Sequence, residues 1–255
     1  MYKDIETETS YRYLKAVISR LKEPLCILGG WAVFFTVSKE FEKEMKRMYL
    51  GSRDIDLGFE SAESFKASAA ILENELNFKA ISFRYAKAIH AETGKDLTEE
   101  AAKALPQHMI FRMYVDPIFP AVSSDLKVSL GFTPIDEPLL REVFEKKRFT
   151  EVKEFDRKLL LPTPETLLAT KLNAAVMRDK DHKRIKDICD IAALCLFSGM
   201  PIVDIITKAK NLASKEKLSA FRRLDMDIKR CSEALGLELN TVQEVIGKIK
   251  SFRFS

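Results

Sequence analysis

The sequence predicts an α+β protein: a mixed α/β domain carrying a sheet over residues 1–162, then an all-helical domain over residues 163–255. Three observations carry this. Short apolar or alternating segments that suit strands occur only in the front part, interleaved with amphipathic helices. From about residue 164 the apolar residues recur at helical spacing almost to the end. The two regimes meet at "LPTPE", where Pro162 and Pro164 interrupt both patterns.

The elements follow in order. "TETSYRYLKAVISRLK" is an amphipathic helix with Tyr13, Leu14, Val17, Ile18 and Leu21 on one face and Thr9 or Ser10 as its expected cap. "PLCILGG" is a short apolar strand ending in Gly29-Gly30, and "WAVFFTVSKEFEKEMKRM" has the length of a helix. "DIDLGF" is the next strand. Ser61 with Ser64 opens a helix whose Phe65, Ala69, Leu72 and Leu76 line one side. "FKAISFRYAKAI" alternates as a strand does. "AETGKDLTEEAAKALPQ" is a polar insertion with a short helix. "HMIFRMYVDPIF" and "SDLKVSLGF" are two further expected strands, with Pro117 expected at a strand edge or end. The helical part contains "ETLLATKLNAAVMRD", "DHKRIKDICDIAALCLF", "PIVDIITKAKNLAS", "KEKLSAFRRLDMDIKRCSEALG" and "NTVQEVIGKIKSF", the last opened by Thr241 with Glu244 as a capping box.

Composition narrows the function classes. A chain of 255 residues, 46% hydrophobic and 31% charged, can bury one large or two small cores. No run reaches the roughly 18 apolar residues of a membrane span, and the polar N-terminus lacks a signal core, so a cytoplasmic protein is expected. Cys26, Cys189, Cys195 and Cys231 form no C-x-x-C pair and read as reduced core residues. Three histidines without Cys/His clustering argue against structural zinc. The net charge of +4 is a mild excess. Residues 201–255 hold eleven Lys/Arg against seven Asp/Glu. Lys208, Lys210, Lys215, Lys217, Arg222 and Arg223 there suit either a phosphate-backbone patch or a solvated helix face.

Three features bear on chemistry. Asp54 and Asp56 lie two apart on one strand, so their carboxylates share a face and repel, while Ile55, Leu57 and Phe59 face a core. Two carboxylates on a rigid strand suit a hard divalent cation such as Mg²⁺, which relieves the repulsion. Gly29 and Gly30 stand at a strand-to-helix junction, where backbone N–H groups can approach a phosphate. Lys171 sits on an apolar helical segment and calls for an anionic partner, and Asp187 and Asp190, three apart, share a helix face. Arg184 and Lys186 read as a charged helix edge.

The ordered set G-G, S-x-D-x-D on a strand, K-L-x-A, then R-x-K-D-x-x-D-x-x-x-L resembles nucleotidyltransferases of the polymerase-β type, specifically the AbiEii/AbiGii toxin-like group. The resemblance covers roughly residues 25–60 and 160–197. It implies a nucleotidyltransferase-type mixed sheet in which Gly29, Gly30 and Ser52 bind the triphosphate of an NTP. Asp54 and Asp56 are implied to hold Mg²⁺, Lys171 to contact nucleotide phosphates, and Asp187 to fill the acidic position of the last motif, with Asp190 supporting that helix. The third metal-binding carboxylate is either Asp116 of "FRMYVDPIF" or absent, if "SDLKVSLGF" with Ser129 is the equivalent strand. Two departures stand out: a long segment between Gly30 and Asp54, and Leu50 where an arginine is usual.

The function so implied is Mg²⁺-dependent transfer of a nucleoside monophosphate from an NTP to an acceptor hydroxyl. RNA, tRNA in particular, is one expected acceptor, and an antitoxin protein is the expected partner if the chain is the toxin of a toxin–antitoxin pair. The alternatives are a small-molecule nucleotidyltransferase, or a nucleotide- or RNA-binding module that keeps the fold without turnover.

Overall fold

The computed structural model describes residues 3–251. The chain divides by packing into two units. The sheet unit holds the chain up to Trp31 together with Gly51–Pro162; the helical unit holds Ala32–Leu50 and the chain from Thr163 on. The change at Pro162 falls where the prolines break the periodicity. Residues 32–50 fall in the helical unit, unlike the expectation of one unbroken front domain over residues 1–162. Within that unit Phe41 packs edge-on against Tyr49 and Phe197, each at 5.1 Å between centroids.

The sheet unit contains α1 (Asp4–Arg20), β1 (Leu25–Ile27), the first turn of α2 (Gly29–Met45), β2 (Ile55–Gly58), α3 (Ala62–Asn74), β3 (Lys79–Ile81) and β4 (Arg84–His90). It continues through α4 (Glu99–Ala104), β5 (Ile110–Phe119), α5 (Ser124–Leu130), β6 (Ile135–Asp136), α6 (Leu140–Phe144), β7 (Phe149–Glu154) and β8 (Arg157–Pro162). The strands form one mixed sheet in the order β3-β4-β5-β2-β1-β8-β7, with β6 beside β5. β2 and β5 run parallel, as do β1 and β8.

Strand alternation gives the sheet two unlike faces. One carries the buried Ile55, Leu57, Phe111, Met113 and Val115. Beside them α3 sets Phe65 against Tyr85 and Phe119, at 5.9 Å each. The other face carries Asp56, Arg112, Tyr114 and Asp116. At its far end Cys26, Leu28 and Ile118 are sealed by Leu140, Val143 and Phe144 of α6.

Four local expectations within the sheet unit are corrected. "SDLKVSLGF" forms α5, not a strand: Ser123 caps it by accepting from the Leu126 N–H, and Gly131 ends it in the left-handed region at φ 73°. "FKAISFRYAKAI" is a hairpin of β3 and β4 turning at Ser82, φ 56°. Pro117 sits inside β5, paired with Leu57; on its other flank β4 pairs only as far as Val115 and β6 begins at Ile118, so no partner there needs its missing N–H. Helix α1 starts at Asp4, which leaves Thr9 and Ser10 buried within it, and Ser10 accepts from the Trp31 indole N–H at 3.1 Å. The Ser61/Ser64 capping box forms as expected.

The helical unit continues α2 and adds α7 (Pro164–Ala175), α8 (Asp181–Phe197), α9 (Ile202–Leu212), α10 (Lys215–Arg223), α11 (Ile228–Leu235) and α12 (Leu239–Ser251). Pro164 occupies the first turn of α7, where its missing N–H costs nothing. Thr241 lies inside α12 instead of capping it. All four cysteines are buried and free. Burial raises the Cys26 thiol and pushes Cys195 up to about 12, which leaves both unreactive. Among the described residues no helix is long and apolar enough to cross a membrane.

Candidate active site

Three carboxylates meet on the polar face of the sheet. Parallel pairing of β2 with β5 sets Asp56 opposite Asp116. Asp54 stands one residue before β2 and two before Asp56. Ile55 and Leu57 anchor β2 in the core between them, so the acids project from a rigid strand. Ser52 is buried and donates to the Asp54 carbonyl at 3.0 Å, which fixes the entry into the strand. Arg53 lies beside Asp54, Nε to Oδ1 3.3 Å, and also reaches Glu6 at 3.8 Å.

Asp116 is 3% exposed. Its Oδ2 accepts from Arg84 at 2.7 Å, while its buried Oδ1 has no hydrogen-bond partner. The Arg84 guanidinium lies 4.2 Å from the Tyr114 ring centre and 4.6 Å from that of Phe83. Burial, then the neighbouring Asp56 carboxylate, push the Asp116 carboxyl up to about 8; Arg84 pulls the other way and Asp54 adds to the rise. Like-charge pressure thus falls on Asp116, from Asp56 first and from Asp54 after it.

Gly29 completes this corner. It opens α2 at φ 59°, and a Cβ there would lie 1.7 Å from Asp56 Oδ2. The absent side chain is what lets the Asp56 carboxylate lie against the start of a helix, whose free N–H groups favour negative charge. The backbone N–H of Leu28 also donates to the Asp56 carbonyl at 2.9 Å. Gly30 follows, buried, in the same turn.

The donor chemistry is that of a hard divalent cation: Asp56 and Asp116 stand opposite each other, Asp54 acts on Asp116 electrostatically, and the buried Asp116 Oδ1 lacks a hydrogen-bond partner. Among the described residues no three acid, His or Cys side chains form a ready-made metal cluster. Arg84 on Asp116 and Arg53 on Asp54 are the competing cations that a metal would displace.

The helical-unit residues form a second, buried group. Lys171 of α7 puts its Nζ 2.9 Å from Asp187 Oδ1 and 2.7 Å from Asp190 Oδ2. Arg178 Nε reaches Asp187 Oδ2 at 2.7 Å. Asp190 also receives Lys186 and the Tyr49 hydroxyl, the latter at 2.7 Å. Two acids thus meet three cations. Burial pulls the Lys171 amine down, but Asp187 and Asp190 together raise it above its ordinary value. Burial raises Asp187, yet Lys171 and Arg178 hold it below its ordinary range. The anion that Lys171 required is supplied by α8.

The family model for the nucleotidyl transferase AbiEii toxin of type IV toxin–antitoxin systems matches residues 47–235. The chain belongs to this family. The match takes in Ser52, Asp54, Asp56, Asp116, Lys171 and Asp187; Gly29 and Gly30 lie before it. AbiEii membership makes the chain a nucleotidyl transferase. A crystal structure of an antigenic nucleotidyltransferase-like protein from Paracoccidioides brasiliensis aligns with 92% of this AbiEii chain and 93% of its own, at 16% identity and a TM-score of 0.41. No curated protein matches the chain.

Four residues around these groups escape sequence reasoning. Arg84 has the parity that sets it beside Asp116, but only once the hairpin at Ser82 is recognised. Tyr49 precedes the S-x-D-x-D motif, and nothing local marks its hydroxyl as a partner for Asp190. Lys186 reads as a charged helix edge, yet it is 5% exposed and paired with Asp190. Arg178 falls after the end of α7, where no periodicity aims it at Asp187.

Proposed function

We propose that this chain transfers a nucleoside monophosphate from an NTP to an acceptor hydroxyl in a Mg²⁺-dependent reaction, as the toxin of a toxin–antitoxin pair whose antitoxin is a protein partner. The observation that carries this reading is the meeting of Asp54, Asp56 and Asp116 beside the glycine that opens α2. The acceptor oxygen forms a bond to the α-phosphorus, the bond from that phosphorus to the bridging oxygen breaks, and pyrophosphate leaves with the electron pair.

Asp54, Asp56 and Asp116 would hold the metal, which supplies charge neutralisation at the phosphates when bound. Gly29, Gly30 and the start of α2 offer backbone N–H groups to the triphosphate. Asp116, whose buried Oδ1 has no hydrogen-bond partner, would take the proton from the acceptor hydroxyl. For Lys171 a phosphate contact is what the resemblance alone implies. Asp187 and Asp190 hold that amine charged and in place. RNA is the favoured acceptor class, with small molecules the alternative.

The test is incubation with each radiolabelled NTP, Mg²⁺ and either total cellular RNA or small hydroxyl acceptors. Label moving into RNA from one NTP is expected. Absence of transfer from every NTP to every acceptor overturns the reading and leaves a nucleotide-binding module.

A further inference from the structure

We infer that β7 is an interface between two copies of this chain. The two β7 strands pair antiparallel about a two-fold axis at Val152 and join the two sheets edge to edge.

β7 ends the strand order of the sheet, beside β8. It offers six residues, against three for β3 at the opposite end. An unpaired edge of that length is a template for another strand. The turn between β7 and β8 decides which backbone groups are free. Phe155 and Asp156, at φ 52° and 60°, make a two-residue hairpin loop, so Glu154 and Arg157 form the first hydrogen-bonded pair. Alternation then turns the backbone groups of Val152 toward β8 and those of Glu151 and Lys153 away from it. Lys158, opposite Lys153, agrees with this: its N–H donates to Glu23 at 3.3 Å and not to β7. Among the described residues no further backbone hydrogen bond reaches residues 149–154 from outside the hairpin. Glu151 and Lys153 are both exposed.

Side-chain charge identifies the occupant as a second copy. About an axis at Val152, Glu151 of each copy stands opposite Lys153 of the other, and both residues present the outward N–H and C=O that such a pair exchanges. Opposite charges placed directly across two strands are stabilising. Within one chain Lys153 has no such neighbour. It stands opposite Lys158 in a non-hydrogen-bonded pair, where side chains come closest, and the acid it reaches is the fully exposed Asp156 at 4.0 Å. Glu151 leans instead to Lys158 at 3.2 Å. A second copy sets an acid beside Lys153 where the chain alone sets an amine. Moving the axis to Glu151 or to Lys153 would oppose like charges, so charge also selects the register.

The other face of the strand fits the same axis. Val152 is half-buried and stands opposite the buried Leu159, two residues from the buried Leu161. On the axis it meets Val152 of the second copy, and the apolar face continues across the joint. Six residues a side are fewer than a standard interface uses, so the pairing is a reversible one.

The test is analytical ultracentrifugation of the full chain over a concentration series, repeated for Glu151→Lys, for Lys153→Glu and for an equimolar mixture of the two variants. A thermal melt accompanies each, and hydrogen exchange is followed at the Glu151 and Lys153 amides of the natural chain. The natural chain is expected to pass reversibly from monomer to dimer, with exchange at those two amides slowing as the dimer forms. Either variant alone opposes like charges at both facing pairs and is expected to dimerise about tenfold or more weakly. In the mixture each facing pair again joins an acid to a base, and dimers of one variant with the other are expected at the natural affinity. If a variant fails to fold, hydrogen exchange on the natural chain decides alone. A natural chain that stays monomeric, exchange at Glu151 and Lys153 that ignores concentration, folded single variants that dimerise as the natural chain does, or a mixture that stays monomeric, each overturns the inference.

Discussion

Asp56 and Asp116 stand opposite each other on adjacent parallel strands, and among the described residues only Arg84 offsets Asp116 directly, at 2.7 Å. The consequence is a carboxyl raised from its ordinary 3.8 to about 8. In the metal-free fold this group binds a proton that the unfolded chain has already lost between those two values. Its contribution is therefore present at pH 4 and is lost as pH rises through 8. Relative to Asp116→Asn, the metal-free natural chain is expected to lose about 1.4 kcal/mol per pH unit across that window, read from denaturant melts at each pH. Mg²⁺ at pH 8 is expected to restore stability to the natural chain and not to the variant. Parallel pH profiles for the two would show that Asp116 is not the strained acid.

Gly29→Ala joins two faults. A side chain at φ 59° costs about 1–2 kcal/mol, and its Cβ would collide with Asp56 Oδ2. Thermal stability is expected to fall modestly, while NTP affinity measured calorimetrically falls much further because the carboxylate and the helix start separate. Gly131→Ala, at a positive φ with open space around it, should reproduce the strain alone and leave NTP binding intact.

Lys171→Met leaves Asp187 and Asp190 short of their shared cation in a buried setting. Breaking a pair of this kind costs about 3–5 kcal/mol, visible as a shifted midpoint in urea. Asp190→Asn should be comparably damaging, because Lys171, Lys186 and Tyr49 all converge on it.

Tyr49→Phe removes only the hydroxyl that donates to Asp190. A loss of about 1–3 kcal/mol is expected from the acceptor left short of a donor, with no change in the affinity for NTP. Unaltered stability would mean that Lys171 and Lys186 alone satisfy Asp190.

Much of this site was legible because it depends on local rules. Alternation on β2 put Asp54 and Asp56 on one face, and helical spacing put Asp187 and Asp190 on another. Asp116 was legible only as one of two options. The choice turned on whether "SDLKVSLGF" was strand or helix, and a serine cap with a left-handed glycine made it a helix despite its strand-like alternation. The partners were hidden for a different reason. Arg84 meets Asp116 across 32 residues of sequence, and Tyr49 meets Asp190 across 141. Such pairings come from strand order and helix packing, which no window of sequence contains.

The central claim is that the carboxylates beside Gly29 carry out nucleotidyl transfer. Its most direct measurement compares the natural chain with Asp56→Asn, using radiolabelled NTPs, acceptor RNA, and Mg²⁺ or EDTA. The account predicts transfer by the natural chain with Mg²⁺ alone, and none by a variant that melts at the same temperature or higher. Full transfer by a folded Asp56→Asn protein would contradict it.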